Sequence, residues 1–467
     1  MNRLRFRWMR GTLLILGACL LIISTHGIQS QMSIAKKPVP EPEPPPPQAA
    51  NLVLEANNIF TTQPFGHALE AWGTDLDPGT VPFWRADGVR YDSVAIGDVD
   101  GDGTQEVVAP NACGINRGVM IFLNAYKDNF DASGFEMGVW RSTFYDGASN
   151  NLEEIGTVIF NEVKLYDLDS DAKDEVIVMT KRWLAVYDYE PKAPYSYLTP
   201  DGQPGSDYGA FLKTAAVMPT VPGDDTEFRL MSMELLDIDG LDGMELMVTG
   251  WDYDTDQSYV FAYTFESGQL NLLCALPFSA VPSGRALAGG NLDTDGALEF
   301  CTAGYRRWRV RNKSYYEGFL FVWDDYGSGW AVHEYSLTGE VRGAPIHILD
   351  VGQLDDGADE IVLAFGINGE SQSLQICNWD SSGGFEVTGN VMDLEPAWAN
   401  HIVIEDLDEN GTNEILLGGI YSDPNPDNGW LYLEIFDILD GSLVSQFSRK
   451  GGESNQSAIR YLAVGLK

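Results

Sequence analysis

The stretch that decides the fold is VAIGDVDGDGTQEVVA, residues 94–109. Four carboxylates, Asp98, Asp100, Asp102 and Glu106, fall within nine residues, between two short apolar runs. Asp and Gly at this density favour a tight turn, and the Val- and Ile-rich flanks favour strands. Like charges this close repel unless something neutralises them. Alternate positions 1, 3 and 5 of a tight loop can aim oxygens at one centre. A carbonyl near position 7 and a final carboxylate complete the shell, and a donor set of hard oxygens suits Ca²⁺. With the ion in place, the loop becomes a clip between two strands.

The stretch recurs. DLDSDAKDE starts at Asp167, DIDGLDGME at Asp237, NLDTDGALE at Asn291, QLDDGADE at Gln353 and DLDENGTNE at Asp406, with start-to-start spacings of 69, 70, 54, 62 and 53. Each copy ends in Glu at the ninth position, allowing one deletion in the Gln353 copy, and an apolar run follows. Self-similarity at such a period marks a repeat architecture. An EF-hand would need Glu at position 12, where the copies from Asp98, Asp167 and Asp406 have Ala109, Val178 and Leu417.

Strand, DxDxDGxxE, strand, repeated at about 60 residues, resembles the FG-GAP (VCBS, integrin α-like) β-propeller repeat over residues 90–467. The resemblance implies an all-β fold with one four-stranded antiparallel blade per repeat and a Ca²⁺ loop between the first two strands. Carried over residue by residue, the implied ligands are Asp98, Asp100, Asp102, Thr104 through its carbonyl, and Glu106; Asp167, Asp169, Asp171 and Glu175, with Ala172 in place of the glycine; Asp237, Asp239 and Glu245; Asn291, Asp293, Asp295 and Glu299; Asp355, Asp356 and Glu360; and Asp406, Asp408, Asn410 and Glu414. In the Asp237 copy Leu241 stands at position 5 and Asp242 follows, so the donor set is shifted. The invariant Glu either ligates the ion or hydrogen-bonds the loop backbone.

Six motifs give six blade starts. The tail SAIRYLAVGLK (457–467) reads as a seventh first strand, and residues 51–89 offer NLVLE, ALEAWG and VPFWRA as its partners. The expectation is a seven-bladed propeller over 51–467, its closing blade built from 51–89 and 457–467. Six blades with extra edge strands is the alternative. Aligning the first strands, six residues before each loop stand Asp92, Asn161, Met231, Arg285, His347, Asn400 and Arg460. Six of the seven are polar, and in a propeller they form one ring at a channel mouth: either polar strand ends meeting water or a rim with Arg285, His347, Asn400 and Arg460 as candidate ligand-binding residues. Lys164 and Glu234, three residues before their loops, are placed to pair.

Residues 1–30 combine a basic start with a short apolar core, as in a signal peptide or membrane anchor; lipidation at Cys19 is the alternative. The Pro-rich stretch 31–50 reads as a disordered linker. The protein is therefore expected to be secreted or held at the cell surface. Lys and Arg number 29 against 69 Asp and Glu, a net charge of −40, which excludes nucleic acid as a partner. Cys113, Cys274, Cys301 and Cys377 have no metal spacing and read as buried thiols. RRWRVRNK (306–313) is the one basic cluster. No nucleophile elbow, phosphate loop or nucleotide fingerprint occurs. Three functional readings follow. The first is a monomeric, Ca²⁺-binding adhesion module for an extracellular protein or glycan. The second is a propeller-type polysaccharide lyase or other carbohydrate-active enzyme. The third is a structural envelope component.

Overall fold

The structure is a computed structural model. It describes residues 57–63, 68–72, 84–87, 93–101, 103, 105–111, 118–123, 136–139, 160–190, 210–223, 226–241, 243–252, 255, 257–310, 313–324, 329–336, 346–354, 357–367, 371–381, 384–387, 392–394, 397–407, 410–421, 431–439, 442–450, 459 and 461–466. Expectations for the leader, the linker, Cys113 and NLVLE fall outside these residues.

Among the described residues the chain is all-β, without a helix. Seven antiparallel sheets form, six of four strands and one with a fifth, Met392–Asp393. The first strand of each sheet packs against the first strand of the next. Ala95–Gly97 meets Phe160–Tyr166, then come Arg229–Leu236, Val281–Gly290, Ile346–Gly352, Ala397–Glu405 and Tyr461–Leu466, which returns to Ala95–Gly97. That closed cycle is a propeller around one axis.

Burial explains the strand sequences. Each second strand lies in a sheet covered on both faces, and such strands need continuous apolar runs. Glu175–Thr180 is buried at every residue, and Glu245–Asp252 at all but Trp251. The outer strand Ala331–Ser336 is exposed at alternate positions. The core sits between sheets, as where Leu349 and Leu363 of one sheet pack with Leu320 and Val322 of the sheet before it. Cys301 and Cys377 are buried free thiols in that same cluster.

The sheet holding the last strand orders as Tyr461–Leu466, Asn57–Gln63, Ala68–Trp72, Trp84–Asp87. Its register pairs Phe60 with Ala463. The strand that receives the tail, Asn57–Gln63, is one the sequence reading passed over. Hydrogen bonds between Asn57–Gln63 and Tyr461–Leu466 close the ring of sheets within one blade, and closure of this kind protects strand edges.

Candidate metal loops and the channel mouth

All six motifs join a first strand to a second. The residue at position 2 is aliphatic in every copy, and Val99, Ile238, Leu292, Leu354 and Leu407 are buried. Its backbone N–H donates to one oxygen of the ninth-position Glu. Glu106, Glu175, Glu245, Glu299, Glu360 and Glu414 accept from Val99, Leu168, Ile238, Leu292, Leu354 and Leu407 at 2.5–3.0 Å. The backbone role for Glu thus holds in all six loops, through Oε2.

At position 1, Asp98 accepts from the N–H groups of Gly101 and Gly103, both at 2.8 Å. Asp167 accepts from Asp171 and Ala172, and Asp406 from Asn410 and Gly411. Position 6 takes a left-handed backbone: φ is 82° at Gly103, 91° at Gly296 and 89° at Gly411. Ala172 occupies the same place at 69°, a conformation that opposes a Cβ.

These turns gather carboxylates. One oxygen from each of Asp98, Asp100 and Glu106 lies within 4.8 Å of the others. The same holds for Asp167, Asp169 and Glu175, for Asp237, Asp239 and Glu245, and for Asp293, Asp295 and Glu299. Asp171 stays outside its cluster and faces Lys173 at 3.8 Å. Leu241, where the shifted copy lacks a donor, is 69% exposed. Asp102, Thr104, Asp355, Asp356, Asp408 and Arg460 lie outside the described residues.

The electrostatics follow from burial. Glu175 is pushed up to about 8, first by burial, with further upward pressure from Asp188 and Asp169. Glu245 and Glu299 rise to about 7, again by burial and then by the aspartates of their own loops. In the Asn291 loop three buried oxygens, Asn291 Oδ1, Asp293 Oδ2 and Glu299 Oε1, have no hydrogen-bond partner among the described residues.

Neighbouring loops are clasped. The residue before the final Glu reaches back to position 1 of the preceding sheet's loop. Asp174 Oδ2 accepts from Asp98 N at 2.8 Å while Asp174 N donates to Asp98 O at 2.7 Å. Asp359 makes the same pair of bonds with Asn291, and Asn413 Nδ2 donates to the Gln353 carbonyl. Met244 and Leu298, at the corresponding place, have no carboxylate to offer.

At the axis, the ring residues are bulged. Pairing of first with second strands skips Asn161, Met231, His347 and Asn400, and skips 283–286 around Arg285. A bulge leaves one residue unpaired and re-aims its side chain. Met231, Arg285, His347 and Asn400 line one pocket of about 440 Å³ with Arg229, Trp251, Tyr305 and Trp398. Arg285 Nη1 donates to Asn400 O at 3.0 Å, and Asn400 Nδ2 to Ile459 O at 2.8 Å. His347 holds Gly366 O through Nε2 at 2.8 Å, and burial keeps its pKa below the usual histidine value. Of the sequence-derived ring, Asp92 and Arg460 fall outside the described residues. Deeper in the channel, Lys164 bonds both oxygens of Glu234 at 2.8 Å.

Sequence reasoning missed Arg229, Trp251, Tyr305 and Trp398. A signal existed for two of them. Trp251 and Tyr305 both stand six residues after the loop Glu, in the same register of their second strands.

No family model matches the chain, and no curated protein matches it. Among solved structures it is similar to a protein from Lactobacillus plantarum, at 12% identity and TM-score 0.52, covering 88% of this chain and 99% of that one. It is also similar to the Dos1 propeller, at 11% identity and TM-score 0.43, covering 88% of both chains. At these identities the likeness concerns the fold alone.

Proposed function

We propose that this chain is an exported, Ca²⁺-binding propeller with loops of the FG-GAP/VCBS type, acting at the cell surface as a binding module for a protein or glycan. The observation that carries the metal reading is the Asn291 loop. Three buried oxygens of Asn291, Asp293 and Glu299 have no partner there among the described residues, in a loop where oxygens of Asp293, Asp295 and Glu299 cluster within 4.8 Å, and a buried acceptor left unsatisfied costs about 1–3 kcal/mol. An all-oxygen, carboxylate-rich set fits a hard divalent cation and does not fit the softer metals. Asn291, Asp293, Asp295 and Glu299 would hold the ion there; Asp98, Asp100 and Glu106 would do so in the first loop. The ion's role is structural: it removes repulsion and ties two strands. The fold displays its channel mouth on that frame.

Calcium stoichiometry by equilibrium dialysis and elemental analysis tests the reading. The full chain is expected to hold several ions, and an Asp293→Asn/Glu299→Gln variant to hold one fewer. A calcium-free protein after dialysis against millimolar Ca²⁺ would refute it. The enzyme reading gains one observation, since Arg285, His347 and Tyr305 share a pocket; release of shorter fragments from a uronic polysaccharide would favour it.

A further inference from the structure

We propose that the channel mouth is a binding site for an anionic sugar, one carrying carboxylate or sulfate groups. The proposal deepens the binding-module reading, on which it rests, by naming the site and the ligand chemistry.

The mouth is cationic on a strongly acidic molecule. Arg229 and Arg285 line the pocket together with His347, and no Asp or Glu occurs among its described lining residues. A second pocket of about 420 Å³ adjoins it, sharing Trp251, Val281 and Tyr305 and adding Arg306 and Arg307; its described lining also holds no carboxylate. Arg306 is tied to Glu334 at 2.9 Å and to the Ser279 carbonyl, so it forms a wall. Arg229 is exposed and makes no ion pair among the described residues. With 69 acidic residues on the chain, two adjoining hollows lined by arginine, with no carboxylate among their described lining residues, form a local reversal of the field, which draws anions in. Guanidinium stays charged at any working pH and matches carboxylate or sulfate with a planar fork.

The aromatic complement selects a sugar. Trp251, Tyr305 and Trp398 are half-buried and line the same groove. Indole and phenol rings offer broad apolar faces with a polar edge, the surface that covers the C–H face of a pyranose. The rings are held in place: Trp398 packs edge-on against His347 at 4.7 Å, and Tyr305 against Tyr316 at 5.6 Å. The backbone is set for a task as well. Arg285 lies at φ 64° inside its bulge, and strain of this kind in a non-glycine residue concentrates at binding sites. Each hollow has the size of an ordinary ligand pocket.

The test is calorimetric titration of the full chain in excess Ca²⁺, with each probe's own calcium heat subtracted. The probes are tetragalacturonate, sulfated cellotetraose, fully methyl-esterified tetragalacturonate and tetraglutamate. One or both charged sugars are expected to bind, and which one binds separates carboxylate from sulfate. The uncharged ester and the peptide should bind at least about tenfold more weakly, because each lacks one of the two recognition elements. Arg229→Ala and Trp398→Ala should each weaken the sugar about tenfold or more while leaving the calcium-dependent Tm intact. Equal binding of tetraglutamate would overturn the sugar in favour of an acidic peptide. Binding unchanged in both variants would place the site elsewhere and overturn the proposal. No binding by any probe, with calcium stabilisation intact, would overturn it and leave the module reading standing; loss of both would sink the two together.

Discussion

At the scale of the residue, the ninth-position Glu divides its work between two oxygens. One accepts the position-2 N–H in every loop, and in the Asn291 loop the other is buried without a partner among the described residues. The sequence offered ligation and backbone bonding as rivals. The two roles are compatible because a carboxylate has two oxygens, and a motif records only the residue. Glu299→Gln should therefore retain the bond to Leu292 and lose a charge beside Asp293. Its Tm in EDTA is expected to be no lower than wild type, with a smaller rise on adding Ca²⁺; an unchanged rise would mean Glu299 is no ligand. At position 6, Ala172 sits at φ 69° where the Asp98, Asn291 and Asp406 loops have glycine. Ala172→Gly should stabilise the protein by about 1 kcal/mol, read from denaturant midpoints. A loss of stability would show that the turn tolerates the Cβ.

At the scale of the element, loops and first strands were legible because both are local. A turn needs Asp and Gly within nine residues, and a strand declares itself by alternation. The clasp between neighbouring loops was not legible, because its partners lie 76 residues apart. It explains a glycine that turn chemistry alone does not require. A Cβ at Gly97 would overlap Asp174 Oδ2, and one at Gly290 would overlap Asp359 Oδ2. Gly97→Ala should cost about 1–3 kcal/mol. In the Asp174→Ala background the cost should shrink, since the overlapping atom is gone. Additive losses in that cycle would mean the clasp carries no coupling. The bulges were invisible for a related reason. Register arithmetic found Arg285, His347 and Asn400, but a bulge is a backbone event. Of the aromatic residues that complete the mouth, Trp251 and Tyr305 arrive from second strands, and Trp398 stands two residues before Asn400 on the same strand.

At the scale of the whole molecule, repeat count and chain-end similarity pointed to a ring. Which strand receives the tail was not readable, because Asn57–Gln63 carries no motif and its pairing is with residues some 400 positions away. The axial channel is lined by a half-buried carboxyl, Asp350, whose titration is a global probe. Asp350 is pushed up to about 7, first by burial and then by Glu234; the Val351 N–H, Lys164 and the Ile404 N–H oppose the rise. An acid whose folded pKa is raised keeps its proton in the native state while the unfolded chain loses it. Stability from this group is thus lost as pH rises from about 4 to about 7. The Tm of Asp350→Asn relative to wild type should climb between pH 5 and pH 8; a flat difference would mean that Asp350 stays ionised throughout.

The central claim is that calcium clips hold this ring together, and thermal unfolding of the full chain tests it most directly. Melting would be followed in EDTA and in millimolar Ca²⁺, beside an Asp98→Ala/Asp100→Ala variant. Each site filled to one hundred times its dissociation constant adds about 2.7 kcal/mol. A rise in Tm with Ca²⁺ that is reduced in the variant is the predicted result. Identical melting in EDTA and Ca²⁺ would contradict the account and leave the six acidic loops as turns alone.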